Sequence, residues 1–246
     1  MANMRERALC VVAAVCLFSG VMTFRSAATA EENPNAPRML VVTKGDLPTY
    51  AYAPASTDSA KPLTIYLHGI CGDPGNGCPY FREGATSASW LLCPSAPTEC
   101  QGGGGTWSGT VAMQTRAVAN AEQQAENLFP NAIDDKSPRV LIGFSQGAYA
   151  ARNLILAQPG KYRAALFIGA DISTTSDSFR KAGITRVAFA AGRYDMMRKP
   201  LEKEAANVKA DGFPTRFVDL GAVGHTYVPA SNAAELRDTI ARLGGG

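Results

Sequence analysis

Histidine is scarce in this sequence, and charge of neither sign dominates it. The 246 residues include two histidines, His68 and His225, and 18% charged residues with a formal net charge of +3. A chain so close to neutral is not the polycation that nucleic acids or anionic membrane surfaces attract. We therefore expect no nucleic-acid partner, and any reaction that needs an imidazole base has two candidates.

The sequence also lacks an internal repeat and a linker, so we expect one domain over residues 39–246. The first 30 residues are of another kind. A basic start precedes an apolar run over 8–24, and Ala28 and Ala30 form an A-x-A cleavage pattern. This predicts a cleaved signal peptide over residues 1–30 rather than a membrane anchor.

After the signal peptide, residues 31–38 are polar and proline-containing, and we expect a flexible lead-in there. Cleavage would leave a secreted or periplasmic protein without stable membrane insertion.

Cysteine is limited to four positions after residue 30: Cys71, Cys78, Cys93 and Cys100. An even number in an oxidising compartment predicts two disulfides, with three possible connectivities. The two C-x6-C spacings make Cys71–Cys78 and Cys93–Cys100 the easiest pairs to close. A four-cysteine zinc site is the alternative, but such sites usually use a C-x(2–4)-C spacing that this chain lacks. We therefore expect no metal.

Short apolar runs alternate with longer amphipathic stretches through the domain, and such runs fit strands buried on both faces of a parallel sheet. The predicted strands are 39–43, 49–54, 63–68, 90–95, 139–144, 164–169, 186–191 and 215–220. The predicted helices are 111–129, 146–158, 200–210 and 232–243. This alternation predicts an α/β fold with a doubly wound, mostly parallel sheet, helices on both faces and a ligand site at the carboxyl ends of the strands.

The segment GFSQG, residues 143–147, lies between a predicted strand and a predicted helix. This setting is typical of a nucleophile elbow, in which the serine occupies a sharp, strained turn. Gly143 and Gly147 relieve crowding where strand and helix meet, and the helix N-terminus behind Ser145 favours negative charge. A tight turn with a capping serine could have the same sequence, so the motif indicates a nucleophile only if a base is also present.

A serine hydroxyl becomes a nucleophile only beside a base, and a third group must orient that base. His225 follows the last predicted strand, where the chain order serine, acid, histidine places the base. Asp195, just after strand 186–191, is the predicted acid, with Asp171 as the runner-up. Asp219 is disfavoured because it lies too near His225 in sequence.

Five segments in this order, YLHGICGD, LLCPSAP, GFSQGA, AAGRYDMM and VGHTY, resemble the α/β-hydrolase superfamily. The likeness is to its serine esterase branch of carboxylesterases, acyl-protein thioesterases and dienelactone-hydrolase-like proteins. It implies an α/β-hydrolase fold and cleavage of small-molecule or polymer carboxylic esters through an acyl-enzyme on Ser145, without a cofactor. It also implies an oxyanion hole from the amides of Ile70 and Gln146, and an acyl site lined by Trp107. The chain has no obvious insertion for a large lid, so we expect a small lid or none.

His68 is left without a catalytic role once His225 is the base. We expect it to be structural, ending its strand and steering the Gly69–Ile70 turn so that an amide faces the oxyanion. A serine peptidase and a non-catalytic binding domain on the same fold remain alternatives, since a fold does not define a function. The sequence does not indicate an oligomeric state.

Overall fold

The computed structural model describes residues 39–44 and 47–245. The predicted signal peptide, residues 1–30, and the lead-in, residues 31–38, lie outside the described residues. Within the described ranges, the helices are too short or too polar to cross a bilayer.

Strands and helices alternate along the described chain, as the apolar pattern predicts. The strands are β1 (Leu40–Thr43), β2 (Thr49–Tyr52), β3 (Leu63–Leu67), β4 (Trp90–Cys93), β5 (Thr98–Glu99), β6 (Gly105–Thr106), β7 (Arg139–Phe144), β8 (Tyr162–Ile168), β9 (Arg186–Ala191) and β10 (Thr215–Asp219). The helices are α1 (Pro74–Ala85), α2 (Val111–Leu128), α3 (Gln146–Ala157), α4 (Ser176–Lys181), α5 (Arg198–Ala210) and α6 (Ala233–Leu243).

Eight of these strands form one twisted sheet in the order β1-β2-β4-β3-β7-β8-β9-β10, and β5 pairs with β6 in a separate hairpin. Strands β1 and β2 are antiparallel to each other, and β2 is antiparallel to β4. The remaining pairs, from β4 to β10, are parallel. The predicted mostly parallel sheet is therefore confirmed.

The core lies in two layers, one on each face of the sheet. Successive side chains of a strand point to opposite faces. On β3, Ile65 packs in the layer formed with α2, α3 and α5, whereas its neighbour Tyr66 packs in the layer formed with α1 and α6. Helices therefore cover both faces, as predicted, and this double burial explains why the strand sequences are continuously apolar.

Helix α1 is not predicted by its own sequence, PGNGCPYFREGA, because glycine and proline are poor helix formers. Pro74 stands at the first helical position, where it is tolerated. A Cβ at Gly77 would lie 2.4 Å from the Tyr66 hydroxyl, and one at Gly84 would lie 2.7 Å from the Arg237 carbonyl oxygen. Close packing against the sheet and α6 therefore requires these glycines inside a helix.

The connection from β8 to β9, where a lid could be inserted, carries the six-residue helix α4 in the described chain. The expectation of a small lid or none is confirmed.

Two disulfides are present, as predicted, but their pairing differs from the local one. Cys71 is bonded to Cys100, and Cys78 to Cys93. The preference for the nearest partners is wrong because α1 carries Cys78 across to β4, where Cys93 lies in the same buried apolar layer. Cys71 is left in the turn before α1, within reach of Cys100 beside the β5–β6 hairpin.

Candidate active site

Ser145 occupies a sharp turn between β7 and α3, with a backbone φ of 53° and ψ of −120°. A positive φ is uncommon for a residue with a side chain and stores strain. The turn is possible because its neighbours lack side chains. A Cβ at Gly147 would lie 2.1 Å from the Leu67 carbonyl oxygen, and one at Gly143 would lie 2.5 Å from the Ala148 Cα. The serine is thereby presented at the carboxyl edge of the sheet.

Ser145, His225 and Asp195 are joined by two hydrogen bonds. His225 Nε2 lies 2.9 Å from Ser145 Oγ, and His225 Nδ1 lies 3.0 Å from Asp195 Oδ2. The Asp195 side chain is fully buried, whereas 43% of the His225 side chain is exposed. Asp195 Oδ1 also accepts a hydrogen bond from the amide of Met197, which fixes the carboxylate. A carboxylate accepting from Nδ1–H leaves Nε2 free to accept the serine proton.

The other two aspartates considered lie elsewhere. Asp171 Oδ1 accepts hydrogen bonds from the amide and hydroxyl of Ser173. Asp219 forms an ion pair with Arg198 at 2.9 Å and accepts from the amide of Gly221. These contacts, the Arg198 hydrogen bond foremost, lower the pKa of Asp219. The structure thus brings Asp195 to His225, and neither Asp171 nor Asp219.

Two glycines that the sequence analysis does not single out allow the acid and base loops to approach each other. Gly169 has a φ of 63°, and a Cβ there would lie 3.0 Å from His225 Cε1 and 3.1 Å from Asp195 Oδ2. A Cβ at Gly192 would lie 2.2 Å from the Val223 carbonyl oxygen. Each glycine directly follows an apolar strand, which is the signal that could have identified it.

The two amides predicted to hold an oxyanion belong to different segments, the turn after β3 and the start of α3. The turn from Gly69 to Gly72 is closed by a hydrogen bond of 3.0 Å between their backbone groups. Within it, the amide of Ile70 donates to no backbone acceptor in the described chain. A Cβ at Gly69 would lie 3.3 Å from the Ser145 Cβ, so this turn borders the serine. The second amide, of Gln146, begins α3, where backbone N–H groups have no partner within the helix.

His68 is hydrogen-bonded to that turn on its buried side. It is 2% exposed, its Nε2 accepts from the amide of Ala96 at 3.1 Å, and its Nδ1 lies 2.8 Å from the carbonyl oxygen of Gly69. Since Nε2 accepts, Nδ1 carries the proton and donates. Burial lowers the pKa of His68. A neutral imidazole therefore links the turn to the segment after β4.

Trp107 does not line an acyl site, and this expectation is corrected. The residue is 2% exposed, and its indole N–H donates to the carbonyl oxygen of His68 at 3.0 Å. The β5–β6 hairpin directs the indole into the core, beneath the Gly69–Gly72 turn. The Gln146 side chain accepts from the Trp107 amide at 2.8 Å and from the Thr106 hydroxyl at 3.0 Å, which ties the hairpin to α3.

Two open clefts flank the serine and histidine. The first cleft, of about 430 Å³, lies over the Gly69–Gly72 turn, and Asp73, Asn76, Phe144 and Tyr227 are among its other lining residues. Its floor includes the backbone of the glycine run at 102–104.

The second cleft, of about 470 Å³, is lined by Ser145 and His225 themselves, together with Tyr149, Tyr194 and Met196. Tyr194 and Met196 are 72% and 81% exposed. A carbonyl carbon at Ser145 Oγ therefore has room for a substituent on each side.

The Cys71–Cys100 bridge anchors the Gly69–Gly72 turn, which contains the predicted oxyanion donor, because Cys71 directly follows Ile70. Replacing both cysteines by serine is expected to lower kcat about tenfold. This is less than the roughly hundred- to thousandfold loss when an oxyanion donor is removed, because the looser turn misplaces the amide without removing it. Steady-state ester hydrolysis and thermal unfolding should be measured together.

The buried Cys78–Cys93 bridge provides the control for that change. Its removal by paired alanines should cost about 3 kcal/mol of unfolding free energy but leave kcat of the folded protein unchanged. Equal kcat losses in both pairs would contradict a specific role for the Cys71 bridge.

No protein-family model matches this sequence, and no curated protein matches it in sequence at a significant level. Solved structures do match it. A Bacillus cereus carboxylesterase is 16% identical, with 80% of this chain and 93% of that chain covered and a TM-score of 0.56. The fluorophosphonate-binding serine hydrolase F of Staphylococcus aureus is 14% identical, with 86% and 99% covered and a TM-score of 0.58. Carboxyl esterase 2 of the fungus Tuber melanosporum is 13% identical, with 89% of each chain covered and a TM-score of 0.57. These likenesses show that the chain has the α/β-hydrolase fold.

Proposed function

We propose that this protein is a secreted or periplasmic serine hydrolase that cleaves carboxylic esters through an acyl-enzyme on Ser145. The observation that carries the proposal is the pair of hydrogen bonds, 2.9 and 3.0 Å long, that joins Ser145 to His225 and His225 to Asp195. These three residues lie between two open clefts, at the carboxyl edge of the sheet, where α/β folds bind ligands.

In the proposed reaction, Ser145 Oγ attacks the ester carbonyl carbon while His225 Nε2 takes the hydroxyl proton. The carbonyl oxygen becomes an anion that accepts hydrogen bonds from the amides of Ile70 and Gln146. His225 then returns the proton to the alcohol oxygen as the carbon–oxygen bond breaks. Water, activated by the same imidazole, hydrolyses the acyl-enzyme. Asp195 keeps Nδ1 protonated and stabilises the imidazolium throughout.

Esters are proposed over peptides because esterases are prominent among the matching solved structures. The open clefts suit a small ester or the end of a polymer. Two disulfides favour an oxidising compartment, in agreement with the predicted signal peptide.

A fluorophosphonate probe is expected to label the folded protein once, at Ser145, because phosphonylation requires an activated serine. Peptide mapping by mass spectrometry locates the label, and a 4-nitrophenyl acetate assay beside a peptide anilide identifies the bond cleaved. An exposed serine far from the site offers the control: Ser59→Ala should label like the unchanged protein. Absence of label at Ser145 would favour a non-catalytic binding domain, and anilide turnover with a silent ester would favour a peptidase.

A further inference from the structure

The first cleft has an unusual distribution of charge. Among the described residues that line it, Asp73 alone has a carboxylate or cationic side chain, because the His68 imidazole accepts the Ala96 amide at Nε2 and is neutral. Asp73 is exposed and forms no ion pair with any described residue. Its Oδ1 accepts from the amide of Gly75 at 2.7 Å as the N-cap of α1, while Oδ2 has no hydrogen-bond donor in the described chain. One carboxylate oxygen is therefore available to a ligand.

The helix end beside Asp73 does not cancel this charge. A helix N-terminus carries about half a positive elementary charge, whereas the capping carboxylate carries a full negative one. Since Lys and Arg are absent from the described residues that line the cleft, its charge favours a cation and disfavours an acyl chain ending in a carboxylate.

Aromatic rings complete the lining. Tyr227 packs against Phe144 with ring centroids 5.0 Å apart, and both are partly exposed at the cleft. A carboxylate beside aromatic rings is the chemistry that binds alkylated ammonium groups, since the ring face attracts a cation that is only weakly hydrated.

The position of His225 indicates which cleft holds the alcohol of the ester and which holds its acyl chain. The leaving alcohol oxygen must receive its proton from His225 Nε2, and His225 lines the second cleft, not the first. Beside the side chains of the Ser145, His225 and Asp195 arrangement, that cleft is lined by Tyr149, Tyr194 and the two methionines Met196 and Met197, which offer aromatic and apolar surface. The alcohol therefore belongs in the second cleft and the acyl chain in the first.

We infer that the preferred substrate is an ester of an apolar alcohol whose acyl chain carries an ammonium group, bound in the first cleft by Asp73 and the ring of Tyr227. This inference rests on the proposed function and adds a substrate class to it.

Two esters of the same shape test the charge. The 4-nitrophenyl esters of 4-(trimethylammonio)butanoate and 5,5-dimethylhexanoate differ by exchange of a cationic nitrogen for carbon. We expect kcat/KM to favour the cationic ester about tenfold, as a partly desolvated cation–aromatic contact and one carboxylate allow. In Asp73→Asn this preference should fall to about twofold, and asparagine still caps α1. The preference should also shrink when salt rises from about 20 mM to about 500 mM.

The control removes the same charge elsewhere. Asp58 is exposed in the loop before β3, at the opposite edge of the sheet, and Asp58→Asn should keep the preference. Equal rates for both esters, or a preference that survives Asp73→Asn, would overturn the inference. A preference between acetylcholine and 3,3-dimethylbutyl acetate, without one between the acyl pair, would overturn the placement of the acyl chain.

Failure of the proposed function gives a different pattern from failure of this inference. Labelling at Ser145 with turnover of the neutral ester, but no preference for the cation, would refute the substrate class alone. A protein with neither labelling nor turnover would refute the hydrolase. In that event calorimetric binding of phenyltrimethylammonium, lost in Asp73→Asn, would still support the cation site, and its absence would refute it.

Discussion

Replacement of Ser145 by alanine is expected to lower kcat/KM for 4-nitrophenyl acetate by about 10⁴- to 10⁶-fold, as when the nucleophile of a serine triad is removed. Its hydroxyl oxygen lies 2.9 Å from His225 Nε2 and would form the bond to the acyl group. Because serine and base act as one unit, His225→Ala should cost about as much, and the double variant little more.

The fold should tolerate both changes. Ser145 makes no packing contribution to the buried layers, so the melting temperature of Ser145→Ala should stay within about 2 °C, the shift of a surface substitution in a domain of this size. His225→Ala should melt at a lower temperature, because it removes a hydrogen-bond partner of the buried Asp195 carboxylate. Circular dichroism and thermal unfolding of the purified variants provide this control. Retention of more than about 1% of the activity in Ser145→Ala would contradict the assignment of the nucleophile.

Asp195→Asn is expected to lower kcat by about 10³- to 10⁴-fold with little change in the fold. The asparagine keeps the shape of the side chain, but its amide can present a donor to Nδ1. The imidazole then adopts the tautomer in which Nε2 carries the proton and cannot accept one from Ser145. Measurement of kcat across pH 5 to pH 9 would show the loss throughout the accessible range.

Asp171→Asn is the matched comparison for that variant. Asp171 is hydrogen-bonded to Ser173 and does not contact His225, so its activity should stay within about twofold of the unchanged protein. A large loss in Asp171→Asn with near-normal activity in Asp195→Asn would move the acid to the earlier loop.

The strands at the centre of the sheet are predictable from sequence because they are buried on both faces. Strands β7 and β9 begin and end at the predicted residues, and α2, α3 and α6 differ by one residue at one end. Helix α1 is not predictable, because two of its glycines are required by close tertiary contacts with the Tyr66 hydroxyl and the Arg237 carbonyl oxygen. Local propensity describes a residue's own backbone and contains no information on such partners.

The candidate site also contains residues that the sequence predicts and residues that it does not. Ser145, Asp195 and His225 are predictable because each lies at or soon after the end of a strand at the carboxyl edge of the sheet. The disulfide partners and the burial of Trp107 depend on where α1 and the β5–β6 hairpin fold back, which spacing along the chain does not fix. The clefts are composed of side chains from several loops, so Asp73 and Met196 have no common signal in the sequence.

The two-layered core also explains how a fold can persist while most of its residues change. The core positions of Ile65 and Tyr66 require only an apolar or aromatic side chain of suitable volume, and many residues meet this condition. The sequence of the interior can thus diverge almost completely while the backbone path persists. The positions with little freedom are those where one atom type is needed or a Cβ cannot fit, such as Ser145 and Gly147. A distant relative would be recognised by a few such positions, held at fixed places on a shared scaffold, rather than by overall similarity.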